Sequence, residues 1–257
     1  MRNVRLWIGG GVLLMAALAA CSAAPAQLPD AQTLLTKAGN EVEQASSIRI
    51  KLQLTGAPSF VDPPTTPGGP GNQISFVSAD GVYVAPDRIS ATVVAKILGV
   101  PGQVQVVAIG NDQWMKAGLL TAGKWVKEIF SPGFNAGDLV SSGGGIQAAL
   151  HALKEVKLLG HESVDGVDMY HITATAAGTD VAALTVGLIR GNVVNLNIYI
   201  PVATGRVDRV IMLQPDTVTD KEPQPTTWTL ELFDYNAPAQ VPVPGAGSAT
   251  AEATAAQ

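Results

Sequence analysis

The chain has a single thiol, Cys21, and it closes the run Leu18-Ala19-Ala20-Cys21. A lone Cys behind Leu and two small residues is the pattern at which the signal peptidase of bacterial lipoproteins cuts, leaving the thiol free to take diacylglycerol through a thioether. The upstream residues agree, because Arg2 and Arg5 form a positive n-region and residues 6–18 an apolar h-region. A spanning helix takes about 20 apolar residues, so this segment is too short to be one. The other residues with chemical potential point nowhere so specific. His151, His161 and His171 are spaced ten apart and fall in a helix, a strand and a strand, which brings them to no common metal. No HExxH, no Gly-x-Ser-x-Gly and no Cys nucleophile occurs. The Gly143-Gly144-Gly145 run lacks the following Lys-Ser or Lys-Thr of a phosphate loop and reads as a turn or hinge, and Asp165 and Asp168 read as hairpin-turn residues.

Cleavage before Cys21 would remove two of the 16 basic residues and none of the 21 acidic ones, leaving 14 against 21, formally −7. Binding nucleic acid rests on clustered Lys and Arg, so an acidic chain without a basic stripe argues against that partner. With Cys21 committed to lipid there is no thiol left for an internal disulfide or a Cys-ligated metal. Stability then depends on packing, and a chain that is 47% apolar and 14% charged has much apolar surface to hide.

These features divide the chain into a signal segment 1–20, a lipidated tether 21–29, a folded region 30–240 and a Pro-, Ala- and Thr-rich tail 241–257 whose side chains are too small to offset the entropy of ordering. Within the folded region, Asp30 can cap a helix in which Ala31, Leu34, Leu35, Ala38, Val42 and Ala45 share one stripe. Ile48, Ile50, Leu52 and Leu54 then alternate with Arg49, Lys51, Gln53 and Thr55, which predicts a strand with one wet face. Residues 58–71 are dense in Pro and Gly and predict a long loop.

Strands are predicted at 73–78, 81–85, 88–98, 103–109, 113–116 and 124–129, with turns at Ala79-Asp80-Gly81 and Val100-Pro101-Gly102 among others. A helical turn at 135–140 and a helix holding Ile146, Ala149, Leu150 and Leu153 interrupt them. Asp165-Gly166 joins strands 155–164 and 167–176, a short helix lies in 179–189, and strands 193–200, 206–213 and 227–235 finish the fold. The fold class expected is therefore α+β: a single highly curved antiparallel sheet of about 10–11 strands, a half-barrel with helices over its concave face.

The order of these elements and their wording resemble the LppX/LprG family of bacterial lipoproteins, whose fold is also that of the lipoprotein carrier LolA. The resemblance rests on Asp80-Gly81 with Val84 to Arg88, Phe134 to Leu139 with the Gly143 to Gly145 run, Val164 to Val167, Tyr199-Ile200-Pro201 with Gly205-Arg206-Val207, and Trp228 to Pro238. It implies an apolar cavity between sheet and helices that holds acyl chains of a lipid or acylated glycolipid, and no catalysis or cofactor. The loop at 58–71 and the Ala/Thr-rich tail depart from the family pattern.

On this reading Leu139, Ile146, Leu150 and Leu153 line the cavity from the helices, and Ile89, Ala91, Val93, Val104 and Val106 from the sheet; Ala91, Ala95 and Ala108 are small enough to widen it. The expected protein is an exported, non-enzymatic carrier, anchored through Cys21 to the outer face of the cell membrane. It would move lipid within or across the envelope, with an envelope transporter as candidate partner. The alternative is an envelope sensor or scaffold that uses the same fold to bind a protein.

Overall fold

The computed structural model describes residues 28–61, 74–129, 131, 134–189, 191 and 193–245. The lipobox with Cys21, most of the loop at 58–71 and the end of the tail lie outside them. Helix α1 (Ala31–Glu43) leads into eleven strands: β1 (Ser47–Thr55), β2 (Ile74–Val84), β3 (Arg88–Ile97), β4 (Val100–Ile109), β5 (Asp112–Ala117), β6 (Val126–Lys127), β7 (Lys154–Val164), β8 (Val167–Ala177), β9 (Val193–Pro201), β10 (Arg209–Gln214) and β11 (Thr226–Phe233). Short helices α2 (Gly118–Thr121), α3 (Ile146–His151) and α4 (Gly178–Val181) lie between strands, with 3-10 turns at Ala136–Leu139, Ala182–Thr185 and Pro215–Thr217.

All eleven strands join one open sheet in the order β6-β5-β4-β3-β2-β1-β11-β10-β9-β8-β7. Every pairing is antiparallel, including that of β1 with β11, which no short connection imposes. The first and last long strands, β1 and β11, meet at the centre, so the sheet is closed in sequence although open in space. Directly paired residues share a face, so the register defines the inner, helix-bearing side row by row. One row runs Ile172, Ile198, Val210, Leu230, Leu52, Ala79, Val93, Val104, Ala117 across nine strands.

The helices cover half of this face. α1 is capped by the Asp30 carboxylate, which accepts from Thr33 N–H at 2.8 Å, and it buries Leu35, Ala38 and Val42. Ala38 is followed by Gly39, which lets the Gln147 side chain of α3 come close, and Gln147 Nε2 donates to Asn40 Oδ1 at 2.7 Å. α1, α3 and α4 seal the inner side of β7 to β11 and β1, where Ile172, Leu196, Ile198, Val210, Met212, Trp228 and Leu230 are buried. Trp228 lies 5.3 Å from the Phe76 ring and donates through Nε1 to the buried Gln214 Oε1. The outer face is ion-paired, with Arg49 on Asp80 and Arg209 between Asp165 and Glu231, although Val107 on that face of β4 is buried.

Three expectations need correction. Ala79-Asp80-Gly81 is no turn: 73–78 and 81–85 are one strand, β2, with a bulge between Phe76 and Ser78. Gly81 is there because a Cβ would sit 2.6 Å from Ser90 O on the neighbouring strand. Val100-Pro101-Gly102 belongs to β4, and the hairpin turn is Leu98-Gly99. The strand expected at 124–129 shrinks to the two residues of β6. At the C-terminus the chain stays packed as far as Val241, which is buried and accepts a hydrogen bond from Arg88.

Candidate functional site

The row that is sealed on one half of the sheet continues uncovered on the other. Beyond β1 it passes through Ala79, Val93 and Val104, all only half-buried. A neighbouring row runs Ile50, Gly81, Ala91, Val106, Met115, and a third Ile48, Tyr83, Ile89, Ala108, Gln113. The inner side of β3, β4 and β5 is therefore an apolar trough made of short and branched side chains. Ile89, Ala91, Val104 and Val106 stand outside the packed core, while Val93 touches its margin. A Cβ added at Gly102, on the same face of β4, would meet nothing within 4 Å.

The trough is closed at one end. The 3-10 turn at Ala136–Leu139 rests on β3, and Asn135 Oδ1 caps it by accepting from Gly137 N–H. Gln113, itself buried, holds the segment that follows β6: its Nε2 donates to Ser131 O at 2.8 Å, and its Oε1 accepts from Ser131 N–H at 3.0 Å. Tyr83 lies under this end and donates to Pro86 O at 2.8 Å. Burial, with the Asp87 charge second, pushes its phenol pKa up. From there exposure climbs along β4, from 2% at Ala108 to 64% at Val100, and reaches 73% at Leu98 in the turn.

The two sets of expected lining residues thus have different fates. The five sheet residues, Ile89, Ala91, Val93, Val104 and Val106, share the inner face as the alternation in the sequence requires. On the helical side, Leu139 comes over β3 with its turn, but Ile146, Leu150 and Leu153 are packed into the core with α1. Ala95 and Ala108 also lie on the inner face. Met115 and the β4 residues beyond Gly102 escape sequence reasoning, Met115 because a six-residue strand shows too little alternation and Val100 because Pro-Gly reads as a turn. Two concavities lie elsewhere: one of about 370 Å³ over Asp30 and over Thr33, Lys37 and Asn40 of α1, and one of about 270 Å³ lined by Ser59, Phe60, Leu188, Gly191, Gln214 and Asp216.

The histidines are far from the trough. His171 lies on the outer face, with Nδ1 2.7 Å from Glu162, Nε2 2.8 Å from Asn197 and its ring 4.6 Å from that of Tyr199. His161 sits beside Asp168 at 3.2 Å and edge-on to Tyr170. His151 ends α3 and is exposed. Among the described residues no group of three His, Cys, Asp or Glu is placed to hold a metal ion. Asp165 is paired with Arg209, and Asp168 with His161, so neither is half of a carboxylate dyad.

The fold is an open antiparallel sheet with helices on half of one face and an apolar trough on the rest, the architecture it shares with two solved lipoprotein structures. The chain belongs to the LppX_LprAFG lipoprotein family, whose model matches residues 30–241. Among solved structures it is similar to LprF from Mycobacterium bovis, at 14% identity and a TM-score of 0.61, with 84% of this chain and 98% of that one covered. It is also similar to the lipoprotein LppX from Mycobacterium tuberculosis, at 17% identity and a TM-score of 0.53, covering 82% and 97%. A LolA superfamily protein from Nitrosomonas europaea aligns at 10% identity with a TM-score of only 0.30. No curated protein sequence matches the chain.

Proposed function

We propose that this lipoprotein is a membrane-tethered carrier that holds the acyl chains of a lipid or acylated glycolipid in the trough of β3, β4 and β5. The observation that carries the reading is the graded apolar stripe on β4, inward-facing and uncovered, continuous with the sealed core. At about 3.3 Å per residue, Val100 to Ala108 spans roughly 27 Å, longer than the roughly 15 Å of one bilayer leaflet's hydrocarbon. An acyl chain laid there would exchange bilayer for protein. Burial is worth about 0.8 kcal/mol per CH2 in either place, so binding is an exchange reaction whose selectivity comes from trough shape and headgroup contacts.

In this account Cys21 carries the diacylglyceryl anchor, two acyl chains being enough for stable attachment, and the domain works on the outer face of the cell membrane. Catalysis is no part of the reading, since the titratable groups lie on the outer face or in structural contacts. A second reading, a sensor or scaffold, draws on the same open apolar face, because a surface of that kind also suits a protein partner. Bound lipid separates the two. Residues 22–257 include every described element, so they can be purified without signal or anchor and offered acylated glycolipids. Native mass spectrometry and organic extraction should then find about one lipid per chain. A well-folded preparation that takes up none would end the carrier reading and leave the scaffold.

A further inference from the structure

We infer that the end of the sheet at which the trough opens is a bilayer-docking rim, with the Leu98-Gly99 turn as its inserting tip. The inference rests on the carrier reading and adds where the lipid comes from. Five connections gather at this end: the segment after β1 that pairs Phe60 with Ser75, the β3–β4 turn, α2 after β5, the link from β8 to β9, and the link from β10 to β11. They carry Phe60 and Val61, Leu98 and Val100, Leu120, Val186 and Val193, and Val218, which are eight of the fourteen large apolar side chains exposed among the described residues. At the opposite end, the β7–β8 turn carries Val167.

Leu98 is the residue that folding does not explain. It stands at φ +53° with Gly99 at +81°, the geometry of a two-residue hairpin turn that Asn-Gly satisfies without strain. A Leu there accepts backbone strain yet is 73% exposed, so it gains almost nothing from the fold. Its neighbours lead inward: Val100 and Val104 continue from it down the trough.

The occupant follows from three observations. Six residues lie between Cys21 and Leu28, where the described chain begins; fully extended, the seven steps reach about 25 Å, so an anchored domain never leaves the bilayer surface. The tip and α2 are aliphatic, with Lys96 and Lys124 exposed beside them, a pattern that lets the stems lie on lipid while the ammonium groups stay in water. A protein interface would more often present Tyr, Trp and Arg. Asp216, Asp220 and Glu222, against the single Lys221, leave the loop near Val218 net acidic and hold the β10–β11 side away from an anionic surface, which tilts the domain onto β3, β4 and α2.

The test uses residues 22–257, which contain no cysteine, with a polarity-sensitive fluorophore on L98C and, separately, on V167C. Vesicles of phosphatidylcholine and phosphatidylglycerol should shift the Leu98 label to the blue and expose it to quenchers carried on lipid tails, while the Val167 label stays unchanged. Leu98→Asn improves the turn and should hold or raise the melting temperature while weakening vesicle binding by about tenfold, the loss of one buried aliphatic side chain. Equal response at both positions, no response at Leu98, or a shift that appears without vesicles as the chain dimerises would each overturn the rim. Lipid bound with a silent Leu98 label would overturn the rim and leave the carrier; insertion by a chain that never binds lipid would do the reverse.

Discussion

Val104 and Leu150 are both aliphatic and both were expected to line the cavity, but the structure gives them different neighbours. Leu150 is 1% exposed under α1, so Leu150→Trp forces extra volume into close-packed surroundings and should destabilise by about 1–3 kcal/mol in chemical denaturation. Val104→Trp projects into open trough: the melting curve should match the parent, while lipid recovered by extraction falls. A second residue-scale expectation concerns Asp208. Burial, reinforced by Glu231 and Asp165 and opposed by Arg209, raises its pKa. The folded chain therefore holds this proton more tightly than the unfolded one, and stability is lost as pH rises from the ordinary carboxylate range through the raised value. Asp208→Asn removes that loss, and because the group is half exposed the gain at neutral pH should be only a few tenths of a kcal/mol, vanishing below about pH 4. Side-chain direction was the legible part of this site: alternation from Ile89 to Val93 and Val104 to Val106 assigns the inner face correctly. Which inner residues are covered was not legible, since that depends on where α1 and α3 cross the sheet.

At the scale of elements, Gly143 to Gly145 separates into two kinds of glycine. Nothing lies within 4 Å of a Cβ at Gly143 or Gly144, whereas one at Gly145 would sit 2.3 Å from Asp138 O and Leu139 O. Gly145→Ala should cost about 1–3 kcal/mol, because it pries α3 away from the 3-10 turn that closes the trough. Gly143→Ala and Gly144→Ala should stay within about 0.5 kcal/mol. Thermal melts of the three variants check the contrast. Local turn chemistry explains the misread elements too. Ala79-Asp80-Gly81 has turn residues, but Asp80 faces outward to Arg49 and Gly81 admits Ser90 O, so both are used inside a strand. Val100-Pro101-Gly102 has them as well, but Leu98-Gly99 makes the turn, and Pro101 and Gly102 pair with Lys96 and Ala95 in the ladder.

Over the whole molecule, one sheet does two jobs. The half formed by β7 to β11 and β1 is sealed by helices and anchors the fold, while β3 to β5 extend the same apolar rows with a cover only at the end under the Ala136–Leu139 turn. A continuous sheet keeps the two halves in fixed register, so the trough is held open by the packed side. The antiparallel class, strand number and N-terminal helix followed from periodicity and caps. The asymmetry between halves was legible only as side-chain size, Ile198, Met212, Trp228 and Leu230 on the sealed half against Ala79, Ala91 and Gly102 on the open one; which half the helices cover was not. The central claim, that acyl chains occupy the uncovered half, is tested most directly by crosslinking. A lipid with a photoreactive group in its acyl tail is bound to residues 22–257 and irradiated, and the adducts are mapped by peptide mass spectrometry. The account predicts adducts on β4 and β5, around Val104, Val106 and Met115. Adducts confined to Ile146 and Leu150 beneath α1, or to the outer face near Tyr199, would contradict it.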